Sequence, residues 1–107
     1  MTVTRNVRDT IEDRVQNDRE FAIALLDEAI ALFLNDEPDI ARLVLRDLVN
    51  ATVGFEELAI EVQKPSKSLH RMLSAKGNPT MNNLTKIFIV LKHKLNVDFE
   101  IRTIQHA

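Results

Sequence analysis

Residues 55–80 read FEELAIEVQKPSKSLHRMLSAKGNPT and contain two short helical patterns on either side of a Gln-Lys-Pro break at 63–65. Proline disfavours helical backbone at the preceding residue, so we expect Pro65 to end the first helix by Lys64. A glycine-proline turn at 76–79 closes the second pattern. The apolar residues recur every three or four positions and should face a core. They are Phe55, Leu58, Ala59, Val62, Leu69, Met72 and Leu73.

Two short helices joined by a break form either an ordinary hairpin in a helical bundle or a DNA-binding helix-turn-helix. Ala59 favours the second alternative, because a small residue lets two helices cross closely. The second helix begins with short and donor-rich side chains, which can reach base edges. We therefore predict a helix-turn-helix over residues 55–73. Its second helix, residues 66–73, should begin with Ser66 as N-cap and lie in the major groove.

The candidate DNA-binding residues lie on or beside this second helix, and they are Lys64, Ser66, Lys67, Ser68, His70, Arg71 and Lys76. Arg71 is suited either to a guanine edge or to a phosphate. Lys64, Lys76 and Lys86 are expected to contact phosphates. The alternative is a solvated helix face without a ligand.

The charge distribution divides the chain into an acidic and a basic part. Residues 1–61 contain 14 acids and 6 bases, a net charge of −8, whereas residues 62–97 contain 7 bases and no acid, a net charge of +7. The last ten residues have a net charge of −1. Such asymmetry predicts an anionic partner, double-stranded DNA, for the basic part. The alternative is that the two parts neutralise each other within one fold.

The flanking sequence predicts further helices, which makes the fold an all-α bundle. Asp18 is suited to cap a wide apolar pattern, and Pro38 is suited to the first turn of the next helix. Thr80 is suited to cap the last helix. The acidic, apolar region 18–51 either packs as the remaining helices of the domain or also receives a basic partner protein.

Both ends of the chain differ from the helical middle. Residues 1–17 are predicted as an N-terminal arm or short helix, because apolar residues recur there at every fourth position. Residues 18–96 are the helix-turn-helix domain. Residues 97–107 form a strand and tail, since apolar and polar residues alternate over 97–104. This strand either pairs with the same strand of a second copy or lies as an extended tail over the core.

The composition argues against several other classes of protein. The chain has no cysteine and its three histidines do not share a metal-ligand spacing, so no metal or cofactor is expected. No nucleophile elbow or glycine-rich phosphate loop is present, so we expect no enzyme. The N-terminus has no apolar secretory core, and no apolar run reaches the roughly 18 residues of a membrane span. We therefore expect a cytoplasmic protein without membrane contact.

Residues 53–95 resemble the lambda-repressor-like (Xre-type) helix-turn-helix. More closely, the runs LVLRDLVNATVGFEELA, PSKSLHRML and KGNPT resemble the probable addiction-module antidote proteins, relatives of HigA-type antitoxins. The resemblance covers about residues 18–103. It implies a five-helix repressor-like core and a homodimer on a palindromic operator. It also implies a RelE-like toxin as partner.

The chain departs from this motif at its tight turn. The motif usually has glycine where Gln63 stands, because the position needs positive φ, and an aliphatic residue where Lys64 stands. The resemblance implies a sequence-specific transcriptional regulator that is the antitoxin and autorepressor of a type II toxin-antitoxin module. The alternative function is a protein-interaction module that neutralises a toxin, with the helix-turn-helix only as scaffold.

Overall fold

The structure, a computed structural model, describes Ile11 and residues 18–106. Residues 18–106 form five helices, which confirms the predicted all-helical bundle. In chain order they are α1 (Arg19–Leu34), α2 (Pro38–Ala51), α3 (Phe55–Val62), α4 (Ser66–Met72) and α5 (Met81–Leu95). None of the helices in this part of the chain is long and apolar enough to cross a membrane.

The helix starts follow local sequence signals, with one exception. The Asp18 side chain accepts a hydrogen bond from the Phe21 N–H at 3.1 Å, and Thr80 caps α5 through the Asn83 N–H at 3.1 Å. Both caps were predicted. Pro38 is the first residue of α2, as expected for a residue without an N–H.

The prediction that Ser66 caps the second short helix is wrong. Pro65 holds the cap position with φ −62° and ψ 140°, and no side chain caps this helix. The Pro65 carbonyl accepts hydrogen bonds from the N–H groups of Ser68 and Leu69 at 3.0 and 3.2 Å. Because proline already has the φ that this position needs, Ser66 is instead the first helical residue.

One apolar core joins all five helices. Helix α1 packs along α2 and also contacts α5, while α3 contacts α2, α4 and α5. The largest fully buried side chains each contribute about 1.5–3 kcal/mol by leaving water. They are Leu26, Leu45, Leu48, Val49, Leu58, Leu69, Leu73, Ile87 and Leu91. The inward positions predicted for α3 and α4 are confirmed, with Ala59 and Met72 half-buried against the core.

The chain ends are only partly described. The predicted N-terminal arm or helix lies outside the described residues apart from Ile11, which is helical and packs against the core. Residues 97–106 form no strand within the described chain. The Phe99 ring meets Phe88 edge to face at 6.2 Å, so the first part of this segment lies against the bundle. Pairing of the segment with a second copy stays a prediction.

Candidate nucleic-acid interface

The turn between α3 and α4 has the left-handed backbone predicted for it. Gln63 adopts φ 56° and ψ 47°. The N–H of Lys64 donates to the Ala59 carbonyl at 3.2 Å, which closes the end of α3. A side chain in this conformation costs about 1–2 kcal/mol. The turn therefore forms with glutamine where glycine is usual.

Helix α4 has an apolar inner side and a polar outer side. Leu69 of α4 and Leu73, the residue after the end of the helix, are fully buried between the helices. Among the predicted contact residues, three half-buried side chains border the helix start, namely Lys64, Ser66 and Ser68. The exposed ones are Lys67, His70, Arg71 and Lys76. All seven residues therefore retain access to solvent on the helix or its flanking turns.

Ser68, Arg71 and Lys76 line one surface depression together with Gly77 and Asn78. A hydroxyl, a guanidinium, an ammonium and an amide thus surround one concave site beside α4. These groups donate hydrogen bonds or carry positive charge, which suits them to phosphate oxygens. Asn78 was not among the predicted contacts, because its Gly-Asn-Pro context indicates only a turn.

Lys86 lies elsewhere, on the exposed side of α5. It lines a second depression with Gln63, Ile89 and the acidic Glu61, next to the α3–α4 turn. The predicted phosphate-side lysines therefore flank α4 at both of its ends rather than forming one cluster.

The loop after α4 is held by an arginine that the sequence did not single out. Arg42 of α2 donates from Nε to the Ser74 carbonyl at 2.9 Å and from Nη2 to the Ala75 carbonyl at 2.7 Å. Ser74 in turn donates from Oγ to the Arg71 carbonyl at 2.8 Å. These bonds fix the loop that carries Lys76. A half-buried arginine on an amphipathic helix has no sequence signal that separates it from a surface residue.

His70 stacks on Phe55, the first residue of α3. The two ring centroids are 3.9 Å apart and the ring planes differ by 20°. Phe55 is buried, whereas His70 is exposed, so one face of the imidazole is covered and the other faces solvent. Within residues 18–106 the ring nitrogens of His70 have no hydrogen-bond partner. The sequence predicts an inward Phe55 and a groove-facing His70, but it contains no signal for their contact.

The basic residues around α4 are not neutralised by direct ion pairs. Between described residues, the ion pairs join Lys92 to Asp98 at 3.2 Å and Arg102 to Glu100 at 3.5 Å. Lys64, Lys67, Arg71 and Lys76 have no acidic partner in the same part of the chain. Their positive charge is therefore available to an external anion, which argues against internal neutralisation at this surface.

The described residues contain no group of three or more histidine, aspartate or glutamate side chains arranged to hold a metal ion. The adjacent carboxylates of α3, Glu56 and Glu57, are both exposed in its first turn. Acidic side chains there are favourable next to the positive end of the helix dipole. Their position thus has a structural explanation.

No family model, curated protein or solved structure matches the chain. The resemblance to repressor-like antidote proteins therefore stays a prediction that depends on the quoted motifs. The geometry around α4 supports a function independently of that resemblance.

Proposed function

We propose that the protein is a sequence-specific DNA-binding transcriptional regulator in which α3 and α4 form the helix-turn-helix. The observation that carries this proposal is a basic surface without an ion pair among the described residues, formed by Lys67 and Arg71 of α4 and Lys76 of the following loop, over the buried Leu69 and Leu73. The major groove is about 12 Å wide and admits one helix. Basic residues beside that helix neutralise phosphates, which dominates affinity.

The residues around α4 divide into two proposed roles. Lys67, Ser68 and Arg71 lie on the helix itself and are assigned to base edges. Lys64, Lys76 and Lys86 lie on the flanking turns and on α5, and are assigned to phosphates, which position the protein without reading sequence. Ser66 begins α4 and its hydroxyl, free of a capping bond, is assigned to the groove.

We propose further that the protein acts as a homodimer whose C-terminal segments pair as antiparallel strands. Residues 98–106 make no backbone hydrogen bond with another described residue, so their N–H and C=O groups are available. A two-fold axis through Ile101 places Glu100 opposite Arg102 of the second copy. The neighbouring symmetric registers instead oppose Glu100 to Glu100 or Arg102 to Arg102. The register centred on Glu100 also places Arg102 opposite Asp98, but it sets Glu100 against Glu100, and Asp98 already pairs with Lys92 at 3.2 Å. The register centred on Ile101 therefore has the better charge match.

The resemblance supports a cytoplasmic role as antitoxin and autorepressor in a type II toxin-antitoxin module with a RelE-like toxin. One structural feature also favours the alternative, a protein-interaction module that neutralises a toxin. Leu34, Met81 and Ile101 are 68–78% exposed and line a groove between α1, α5 and the C-terminal segment. Asp27 lines the adjoining depression, together with Asp98, which pairs with Lys92, and with Glu100 and Arg102, which pair with each other. An apolar surface with acidic neighbours suits a basic partner protein.

DNA binding is tested by fluorescence anisotropy with the DNA upstream of the protein's own gene, at several salt concentrations. We expect this DNA to bind more tightly than random duplex, and Arg71→Ala to weaken specific binding about tenfold. Lys94→Ala, which removes a positive charge from the last turn of α5, beyond Lys86, is the control and should change binding little. Equal affinity of the wild-type protein for upstream and random DNA would refute the proposal.

Co-expression with the product of the neighbouring gene distinguishes the alternative function, toxin neutralisation with the helix-turn-helix only as scaffold, from the regulator proposal. If the helix-turn-helix is only scaffold, wild-type protein rescues growth without binding DNA specifically. If the regulator proposal holds, the Lys67→Ala/Arg71→Ala variant loses specific DNA binding. Rescue by this variant would then show that toxin neutralisation uses a different surface.

A further inference from the structure

His70 differs from the other exposed residues of α4 in that its ring stacks on a buried side chain. Its ring lies 3.9 Å from the ring of Phe55 at an angle of 20°. Phe55 is only 6% exposed and belongs to the buried cluster that joins the helices, so the surface under the imidazole is rigid. Lys67 and Arg71, by contrast, are long side chains without a partner in the described chain.

A fixed donor and a flexible donor contribute differently to recognition. Long side chains lose rotamer freedom when they are ordered in a complex, and they can shift to the next acceptor when the preferred one is absent. A ring that is already oriented loses little freedom. It cannot follow a displaced acceptor, so an incorrect base leaves its hydrogen bond unmade. Rigidity therefore increases discrimination more than it increases affinity.

The ring nitrogens of His70 are free to hydrogen-bond a base edge while the ring itself stays stacked on Phe55. The stack covers a face of the imidazole and leaves its edge, where both nitrogens lie, without a hydrogen-bond partner among the described residues. Either nitrogen can donate or accept according to the tautomer, as base edges require. His70 also lies between Lys67 and Arg71 in sequence on the exposed side of α4.

We infer that His70 is a specificity-determining residue of this protein and that Phe55 is its positioning residue. This inference rests on the proposed DNA-binding function. Lys67, Ser68 and Arg71 keep the base contacts proposed above and, with the flanking lysines, supply most of the affinity, while the stacked imidazole adds discrimination that a flexible side chain provides less well. Phe55 acts only through His70 and does not touch the DNA.

The test measures the affinity ratio between two duplexes of equal length and composition. One is the sequence that wild-type protein enriches from a randomised duplex library, and the other is its scrambled version. His70→Phe keeps a stacked ring but removes both nitrogens, so we expect the ratio to fall about tenfold. Its affinity for the scrambled duplex should not change. His93→Phe makes the same substitution on the exposed side of α5 and should leave the ratio unchanged.

Phe55→Leu tests the positioning role, because leucine preserves apolar burial but not the stack. We expect this variant to lower the affinity ratio about threefold. The affinity ratio of the Phe55→Leu/His70→Phe variant should be no lower than that of His70→Phe alone. A purely structural role of Phe55 would weaken both duplexes equally and add to the effect of His70→Phe. Binding is measured at a temperature at which circular dichroism shows every variant folded.

The possible outcomes distinguish this inference from the proposed DNA-binding function on which it rests. If wild-type protein discriminates between the duplexes and His70→Phe discriminates equally well, the inference is wrong and the regulator proposal stands. If Phe55→Leu and His70→Phe are additive, Phe55 does not act through His70. If wild-type protein enriches no sequence at all, both the regulator proposal and the inference fail.

Discussion

Gly77 is the residue at which the loop after α4 depends most on the absence of a side chain. A Cβ added there would overlap the Met72 carbonyl oxygen and lie 2.6 Å from the Arg71 carbonyl oxygen. Both neighbours are backbone atoms at the end of α4 and cannot turn away as a side chain would. The Gly77 N–H also donates to the Ser74 carbonyl at 3.0 Å. The glycine is therefore required for a close approach of two backbone segments.

We predict that Gly77→Ala lowers the free energy of unfolding by about 1–3 kcal/mol, because the added methyl forces the loop away from α4. Urea denaturation monitored by circular dichroism measures the change. Lys76→Ala is the matched control, since an exposed neighbour should change stability by less than about 0.5 kcal/mol. An equally small effect of Gly77→Ala would mean that the loop does not lie against α4 in solution.

At the scale of helices, two arginines connect segments that are far apart in sequence. Arg19, the first residue of α1, donates to the carbonyls of Leu95 and Asn96 at 2.6 and 3.3 Å, and so satisfies groups at the end of α5. Arg42 does the same for the Ser74 and Ala75 carbonyls after α4. The bundle thus uses guanidinium groups to close helix ends and to hold the loop beside the proposed DNA-binding surface.

We predict that Arg42→Met lowers the free energy of unfolding by about 1–2 kcal/mol, because the methionine keeps the apolar stem but loses both hydrogen bonds. Amide hydrogen exchange at Gly77 should accelerate, since its hydrogen bond lies in the same loop. DNA affinity should fall as Lys76 loses its fixed position.

Arg42→Lys distinguishes the loss of the two hydrogen bonds from the loss of the positive charge. Lysine keeps the positive charge but lacks the planar fork that reaches both carbonyls. It should therefore accelerate exchange at Gly77 and weaken DNA binding in the same direction as methionine. Unchanged exchange in both variants would show that Arg42 does not hold the loop.

At the scale of the whole molecule, several of the most exposed apolar residues lie at the C-terminal segment and the groove beside it, although Ile60 of α3 is also 77% exposed. Leu34, Met81, Ile101 and Ile104 are each more than two-thirds exposed. The basic surface around α4 instead has few apolar side chains. This separation suits a regulator that contacts DNA with one surface and a protein, including its own second copy, with another.

The proposed strand pairing predicts a charge-swap result. Glu100→Arg and Arg102→Glu each place like charges opposite one another at two symmetry-related positions, so each should weaken the dimer about tenfold. The double variant restores opposite charges and should recover the wild-type dissociation constant. Analytical ultracentrifugation over a concentration series measures the three values. A monomeric wild-type protein, or a double variant no tighter than the single ones, would contradict the pairing.

The sequence alone predicted those features that depend on neighbouring residues. Asp18, Pro38 and Thr80 stand at helix starts because capping and first-turn preferences are satisfied within three residues. The left-handed turn at Gln63 was predicted from a motif of fixed length. The error at Ser66 was also local, because Pro65 has the backbone angles of a cap and displaces the cap by one residue.

Periodicity predicted the helical segments within residues 18–95 and their inward faces, since a helix repeats every 3.6 residues whatever lies elsewhere in the chain, and the count of charges predicted where the basic surface lies. Only the tertiary structure decided which side chains are held in place on that surface. Phe55 meets His70, and Arg42 meets Ser74 across 32 positions of sequence. The physical reason is that such contacts depend on how the helices cross, and no pattern within one helix specifies the crossing.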